Sequence, residues 1–115
     1  KIIVVPILLL AIVLTGMDKE EAYGLSNQAV DSISQPAYAS SLFEKAETYF
    51  STASISYEKV DHYYWKALLY AKQGECEKAT PLFHESLDMA LQLSDYEKAI
   101  NIYSDKNLRC TFMQG

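Results

Sequence analysis

The sequence predicts an all-α protein, a short antiparallel helical repeat array behind an N-terminal apolar, transmembrane helix. Three observations carry that expectation. Through the body of the chain, apolar residues recur at three- and four-residue intervals, and no run alternates with the period of two that a half-buried strand needs. A Glu-Lys-Ala triplet followed four residues later by an aromatic occurs three times. From Ile2 to Gly16 there is no charged residue, whereas all 15 acidic residues and every basic residue except Lys1 come later. At 115 residues and 50% hydrophobic content, there is room for one domain and too much apolar surface for a disordered tail. With Lys1 set aside, the body carries about −6, and this argues against nucleic-acid binding, which needs clustered Lys and Arg. The chain divides into a signal-anchor or transmembrane segment at 1–17, a helical domain at 18–104 and a C-terminal tail at 105–115.

The leader admits two readings. Its fifteen residues, at about 1.5 Å each, reach roughly 22 Å, short of a ~30 Å hydrocarbon core, and Ala22-Tyr23-Gly24 offers a small-x-small cleavage site. Both features suit a cleaved secretory signal. Against cleavage stands the charged stretch Asp18-Lys19-Glu20-Glu21, unusual ahead of a cleavage site, and the expectation adopted is a retained anchor completed by Met17. Lys1 on the N-terminal side places that end in the cytoplasm and the body on the extracytoplasmic face. No cysteine follows Leu14-Thr15-Gly16, so a lipid-modified anchor is not indicated.

Five helices are expected in the body. The first runs from about Ala22 to Ser34 with Leu25, Ala29, Val30 and Ile33 on one face. Pro36, at a first-turn position, opens the second, which uses Leu42, Ala46, Tyr49, Phe50, Ala53 and Tyr57. The third, about Tyr57 to Gln73, carries Val60, Tyr64, Ala67, Leu68 and Ala71, and Gly74 ends it. The fourth spans roughly Glu75 to Leu93 and admits Pro81 because that residue lies near its start. Ser94 or Asp95 caps the fifth, which reaches about Ser104. The remainder is a polar tail whose Leu108, Phe112 and Met113 are available to dock.

The triplets are Glu44-Lys45-Ala46 with Phe50, Glu77-Lys78-Ala79 with Phe83, and Glu97-Lys98-Ala99 with Tyr103. The first two stand 33 residues apart and the third follows after 20. Alanine and a ring at i, i+4 share a helix face, where the small residue lets a neighbouring helix approach. This arrangement resembles the tetratricopeptide repeat, a helix–turn–helix unit of about 34 residues. The best match runs from Val60 to Leu91: Tyr63 at the first large position, Ala67 at the small one, then Tyr70, a turn at Gln73-Gly74, and Ala79, Phe83 and Ser86 in the second helix. Lys66 departs from the pattern, no proline closes the unit, and the flanking units match only in part.

In that family the first helix of each unit lines a groove for a peptide or partner helix. Carried over position by position, the resemblance implies Asp61, Tyr64, Leu68, Ala71 and Lys72 as partner-binding residues. Tyr64, Leu68 and Ala71 do not suit the variant that clamps a C-terminal carboxylate, since that variant needs Lys, Arg or Asn. Trp65 joins the set because Tyr63-Tyr64-Trp65 has the aromatic character of an interface anchor; the same cluster reads equally well as core. Repeat arrays need about three units to cover each apolar face, and this one has closer to two, so a partner is expected.

Cys76 and Cys110, 34 residues apart, read first as a disulfide tying the tail to the turn between the third and fourth helices; two buried thiols are the alternative in a reducing compartment. His62 and His84 match no metal-ligand spacing, so no metal or other cofactor is expected. There is no phosphate loop, nucleophile elbow or paired-carboxylate signature, and no enzyme is expected. The resulting expectation is a membrane-anchored, non-catalytic interaction protein, an accessory or assembly subunit of a larger membrane complex, held in lipid through Ile2 to Gly16. Small single-span subunits of this kind surround membrane oxidoreductases such as the archaeal ammonia monooxygenase, and no motif here selects that complex. The alternative is a secreted or periplasmic adaptor that binds a peptide after signal cleavage.

Overall fold

Asp18 caps the first described helix: its carboxylate accepts a hydrogen bond from the Glu21 backbone N–H at 2.9 Å at the start of α1, Lys19–Asp31. The computed structural model describes residues 16–111, and the expected spanning segment before Gly16 lies outside them, as do Phe112 and Met113. No helix among the described residues is long and apolar enough to cross a membrane. All described regular structure is helical, without strands among the described residues.

Helix α1 begins three residues before the expected Ala22, because Asp18-Lys19-Glu20-Glu21 is an N-cap followed by a first turn with two acids at its positive end. It stops at Asp31 in a serine-rich turn, and Gln35 is held out of helical geometry (φ −118°, ψ 79°) by the ring of Pro36. Helix α2, Pro36–Phe50, takes that proline as its first residue. It ends earlier than expected. Ser51 to Ser54 favour turns over helix, so Ala53 falls in the connection, and Tyr57 opens α3 as an exposed residue. Ser56 caps α3, Tyr57–Lys72, by accepting from Lys59 N–H at 3.1 Å.

Helices α4, Cys76–Gln92, and α5, Tyr96–Lys106, follow through two turns of one design. In the first, Gly74 N–H bonds Ala71 O and Glu75 N–H bonds Tyr70 O; in the second, Ser94 N–H bonds Leu91 O and Asp95 N–H bonds Ala90 O. Both are Schellman turns, with the left-handed residue being Gly74 at φ 77° and Ser94 at φ 58°. Asp95, not Ser94, is therefore the cap of α5, accepting from Lys98 N–H at 3.2 Å. Pro81 sits in the second turn of α4, which continues through it. Helix α5 runs past the expected Ser104 and passes into a π-helical turn, Asn107–Thr111, so the described part of the expected polar tail, residues 105–111, is helical. Leu108 is exposed rather than docked, and Cys110 is the turn's buried residue.

The structure also sorts the triplets. Glu77-Lys78-Ala79 and Glu97-Lys98-Ala99 occupy the second to fourth residues of α4 and α5, and both alanines are buried. Glu44-Lys45-Ala46 lies late in α2, so the 20-residue spacing matches equivalent helix positions and the 33-residue spacing does not.

Helix α3 is the centre of the array. It packs on α1 and α2 on one side and on α4 on the other; α5 covers α4, and the π turn reaches α3, α4 and α5. The pairs Lys19–Glu58 and Tyr23–Asp61 advance together, as do Asp61–Lys98 and Tyr64–Asp105, so α1, α3 and α5 run parallel. The largest apolar cluster joins α3, α4 and α5 around Val60, Tyr63, Ala67, Phe83 and Ile102. Two smaller ones, around Phe43 and Leu69 and around Phe50 and Ala46, lie on the α1–α2 side.

Candidate functional site

The expected partner-binding residues all lie on α3, and the chain's own helices cover part of that face. Asp61 accepts from the Tyr23 hydroxyl at 2.8 Å and pairs with Lys98 Nζ at 2.8 Å, so one carboxylate links α1, α3 and α5. The Tyr64 hydroxyl donates to Asp105, and Arg109 lies 3.8 Å from the same carboxylate. Ala71 is buried in the large cluster with Cys76 and Cys110. Trp65 is half-buried and stacks on Tyr23, ring centroids 5.4 Å apart. Leu68 is half-buried against the large cluster, and Lys72 is exposed. The face thus divides into Asp61, Tyr64 and Ala71 beneath, and Trp65, Leu68 and Lys72 at or near the surface.

Cys76 and Cys110 form a disulfide, with Cα atoms 5.3 Å apart. It joins the first residue of α4 to the π turn and keeps Asp105 and Arg109 over Tyr64. By loop entropy, a closure of this length contributes about 3–4 kcal/mol.

A second constellation, not legible in the sequence, sits on the opposite side of α3. His62 is completely buried between Phe43, Phe50 and Tyr63, with ring centroids 4.7 to 5.9 Å away. Its Nε2 lies 2.8 Å from Glu47 Oε1, and its Nδ1 lies 2.7 Å from Ser26 Oγ. The carboxylate only accepts, which puts a proton on Nε2, and Nδ1 shares a hydrogen bond with the serine hydroxyl. Glu47 also accepts from the Tyr63 hydroxyl at 2.8 Å and from Lys66 Nζ at 3.3 Å. Burial alone would push the Glu47 carboxyl up, but the hydrogen bonds from His62 and Tyr63 and the charge of Lys66 outweigh it and bring it down to about 2. Burial, followed by hydrogen bonding to carboxylates, raises the tyrosines: Tyr23 to about 12, and Tyr63 and Tyr64 higher.

Serine, histidine and glutamate in a chain have the composition of a hydrolase triad. Its use in catalysis requires the serine oxygen to meet a substrate carbonyl, with donors placed for the oxyanion. Ser26 and His62 are both at 0% exposure, inside a helix-to-helix contact. What the arrangement does is join three helices, α1 through Ser26, α2 through Glu47 and α3 through His62. Its partners stand 36 and 15 residues from His62, a separation with no local signature. His84, by contrast, is exposed on α4, and among the described residues no group of three His, Cys, Asp or Glu side chains is placed to hold a metal ion.

No protein-family model, curated protein or solved structure matches the chain.

Proposed function

We propose that this chain is a non-catalytic, tetratricopeptide-like interaction protein, anchored at a membrane by its N-terminal apolar segment with its body on the extracytoplasmic side, and that it serves as an accessory or assembly subunit of a larger membrane complex. The observation that carries the reading is the use made of reactive groups. Ser26, His62 and Ser86, the fully buried polar residues among those described, each have a partner within the chain. Ser26 and His62, with Glu47, join α1, α2 and α3, and Ser86 bonds within α4; buried polar groups used in this way support a scaffold, which acts through its surfaces. The repeat-like character rests on Ala79, Phe83 and Ser86, all at 0% exposure in the α3–α4 hairpin. The disulfide fits an oxidising, extracytoplasmic setting.

Retention of the leader has its own support. Cleavage after Gly24 would cut through α1 and remove Ala22, which is buried against Phe50 and Ala46, and Tyr23, which holds Asp61 and Trp65. Trp65, Leu68 and Lys72 are the accessible part of the α3 face and the place for a protein partner, with Asp61, Tyr64 and Ala71 supporting them from below. The test is extraction of the full chain from its native membrane in mild detergent. A stoichiometric membrane-protein partner is expected to co-elute, and Trp65→Ala should reduce its recovery severalfold with helical content unchanged. A monodisperse monomer without a stable partner overturns the proposal, and a mature N-terminus at Leu25 would replace it with the secreted adaptor.

A further inference from the structure

Among the described residues, the exposed large apolar side chains are scattered one to an element, except on α5. There Tyr96, Ile100 and Tyr103 are 63%, 65% and 56% exposed. Their i, i+4, i+7 spacing puts them in one stripe. Ala99 and Ile102 occupy the other side of the helix, buried against the large cluster. The stripe tyrosines differ from Tyr23, Tyr63 and Tyr64, whose hydroxyls all donate to carboxylates inside the array.

The pattern along α5 is nearly palindromic about Ile100: aromatic, aliphatic, aromatic. Lys98 pairs with Asp61, and Asp105 meets Tyr64 and Arg109, so these charges are taken up within the array. Along one flank of the stripe there remain Asp95 at the N-terminal end and Lys106 at the C-terminal end. An isologous contact needs a patch complementary to itself, so that residue i meets j and j meets i. A two-fold axis through Ile100 supplies this. It runs two α5 helices antiparallel, carries Tyr96 toward Tyr103 of the second copy, and brings the acidic end of each helix to the basic end of the other. Antiparallel pairing also opposes the two helix dipoles favourably. A parallel pairing would set like charges together, and a bare lipid surface would leave the acidic end of α5 without a counter-charge. We propose that the outer face of α5 is a self-association surface, occupied by a second copy of this chain in a two-fold antiparallel α5–α5 contact.

The test uses the full chain in mild detergent. Sedimentation equilibrium over a concentration series is expected to show a monomer–dimer equilibrium, and Ile100→Glu, which buries a charge on the axis, should raise the dissociation constant at least tenfold. Because Ile100 faces outward, circular dichroism of this variant should match the parent. Ile100→Cys places a thiol beside its own copy and should give a covalent dimer on mild oxidation, whereas Lys45→Cys, exposed on α2, should not. Asp95→Asn, which keeps a capping side chain, and Lys106→Gln should each weaken the dimer about threefold, and the double variant should weaken it little further. A single monomeric species throughout, a dimer indifferent to Ile100→Glu, or equal cross-linking of the two cysteine variants overturns the proposal. So does binding of the stripe to phosphatidylcholine vesicles in place of dimerisation.

Discussion

Helix α3 meets α1 and α2 through a polar chain, Ser26 to His62 to Glu47, set between two small apolar clusters. It meets α4 through one continuous apolar cluster, which α5 and the Cys76–Cys110 disulfide close, and it reaches α5 through the polar pairs Asp61–Lys98 and Tyr64–Asp105. The two sides use different physics. Apolar contact is non-directional and tolerates small shifts of one helix on another. A buried hydrogen-bonded chain does not, because an unpaired buried group costs about 1–3 kcal/mol, so it selects one register. The α1–α2 side is therefore held in register chiefly by direction and α4 chiefly by area, while α5 is placed by both, its polar pairs to α3 and its covalently closed apolar face.

That contrast can be broken at several points. The largest effect is expected from the disulfide. Cys76→Ser with Cys110→Ser should lower the unfolding free energy by about 3–4 kcal/mol. Hydrogen exchange should then rise first in α5 and the π turn, where Asp105 and Arg109 lie over Tyr64, while α1 and α2 remain protected. Equal loosening of both sides would show that they are not separate.

Next comes Glu47. Glu47→Gln keeps the shape but removes the charge that His62, Tyr63 and Lys66 address, with an expected loss of about 1–3 kcal/mol by urea denaturation. The same group sets an acid dependence. Its folded pKa of about 2 lies below the model-peptide value of 4.5, so its stabilising contribution is present in full above pH 4.5 and is lost as the pH falls toward 2. The expected loss across that window is on the order of 2–3 kcal/mol, and most of it should vanish in Glu47→Gln. An acid transition unchanged by the substitution would assign the pH dependence to other carboxylates.

The smallest effect compares the two Schellman turns directly. Gly74 adopts its left-handed conformation without a Cβ penalty, whereas Ser94 adopts φ 58° with one. Ser94→Gly should stabilise by about 0.5–1 kcal/mol, read as a higher urea midpoint at unchanged slope, and Gly74→Ser should destabilise by a similar amount.

How much of this was legible follows from the range of each interaction. The helix starts at Pro36, Tyr57 and Cys76 follow from caps, proline and turn residues within a few positions of each start, and they were expected to within a residue. The start of α1 is also written locally, in the cap Asp18-x-x-Glu21, which lies ahead of the apolar period that begins at Ala22. The end of α2 was misplaced because Ala53 and Tyr57 continue the apolar period beyond the point where Ser51 to Ser54 stop the helix. On the candidate face, Asp61, Tyr64 and Ala71 are implied by the tetratricopeptide resemblance, and the structure has all three on α3. Asp61 and Tyr64 are covered by Tyr23, Lys98 and Asp105, which lie 37 to 41 residues from the groups they meet.

The sequence by itself determined an all-helical body and the helix starts at Pro36, Tyr57 and Cys76, because these follow from local propensity and periodicity. A count of two cysteines named the partners and left a disulfide and two thiols both open. Only the tertiary structure decided that His62 is a buried join between three helices, that α5 and its π turn lie over part of the α3 face, and that Tyr96, Ile100 and Tyr103 face outward. A hydrogen bond from Ser26 to His62 depends on how two helices cross, and periodicity within either helix carries no record of that crossing.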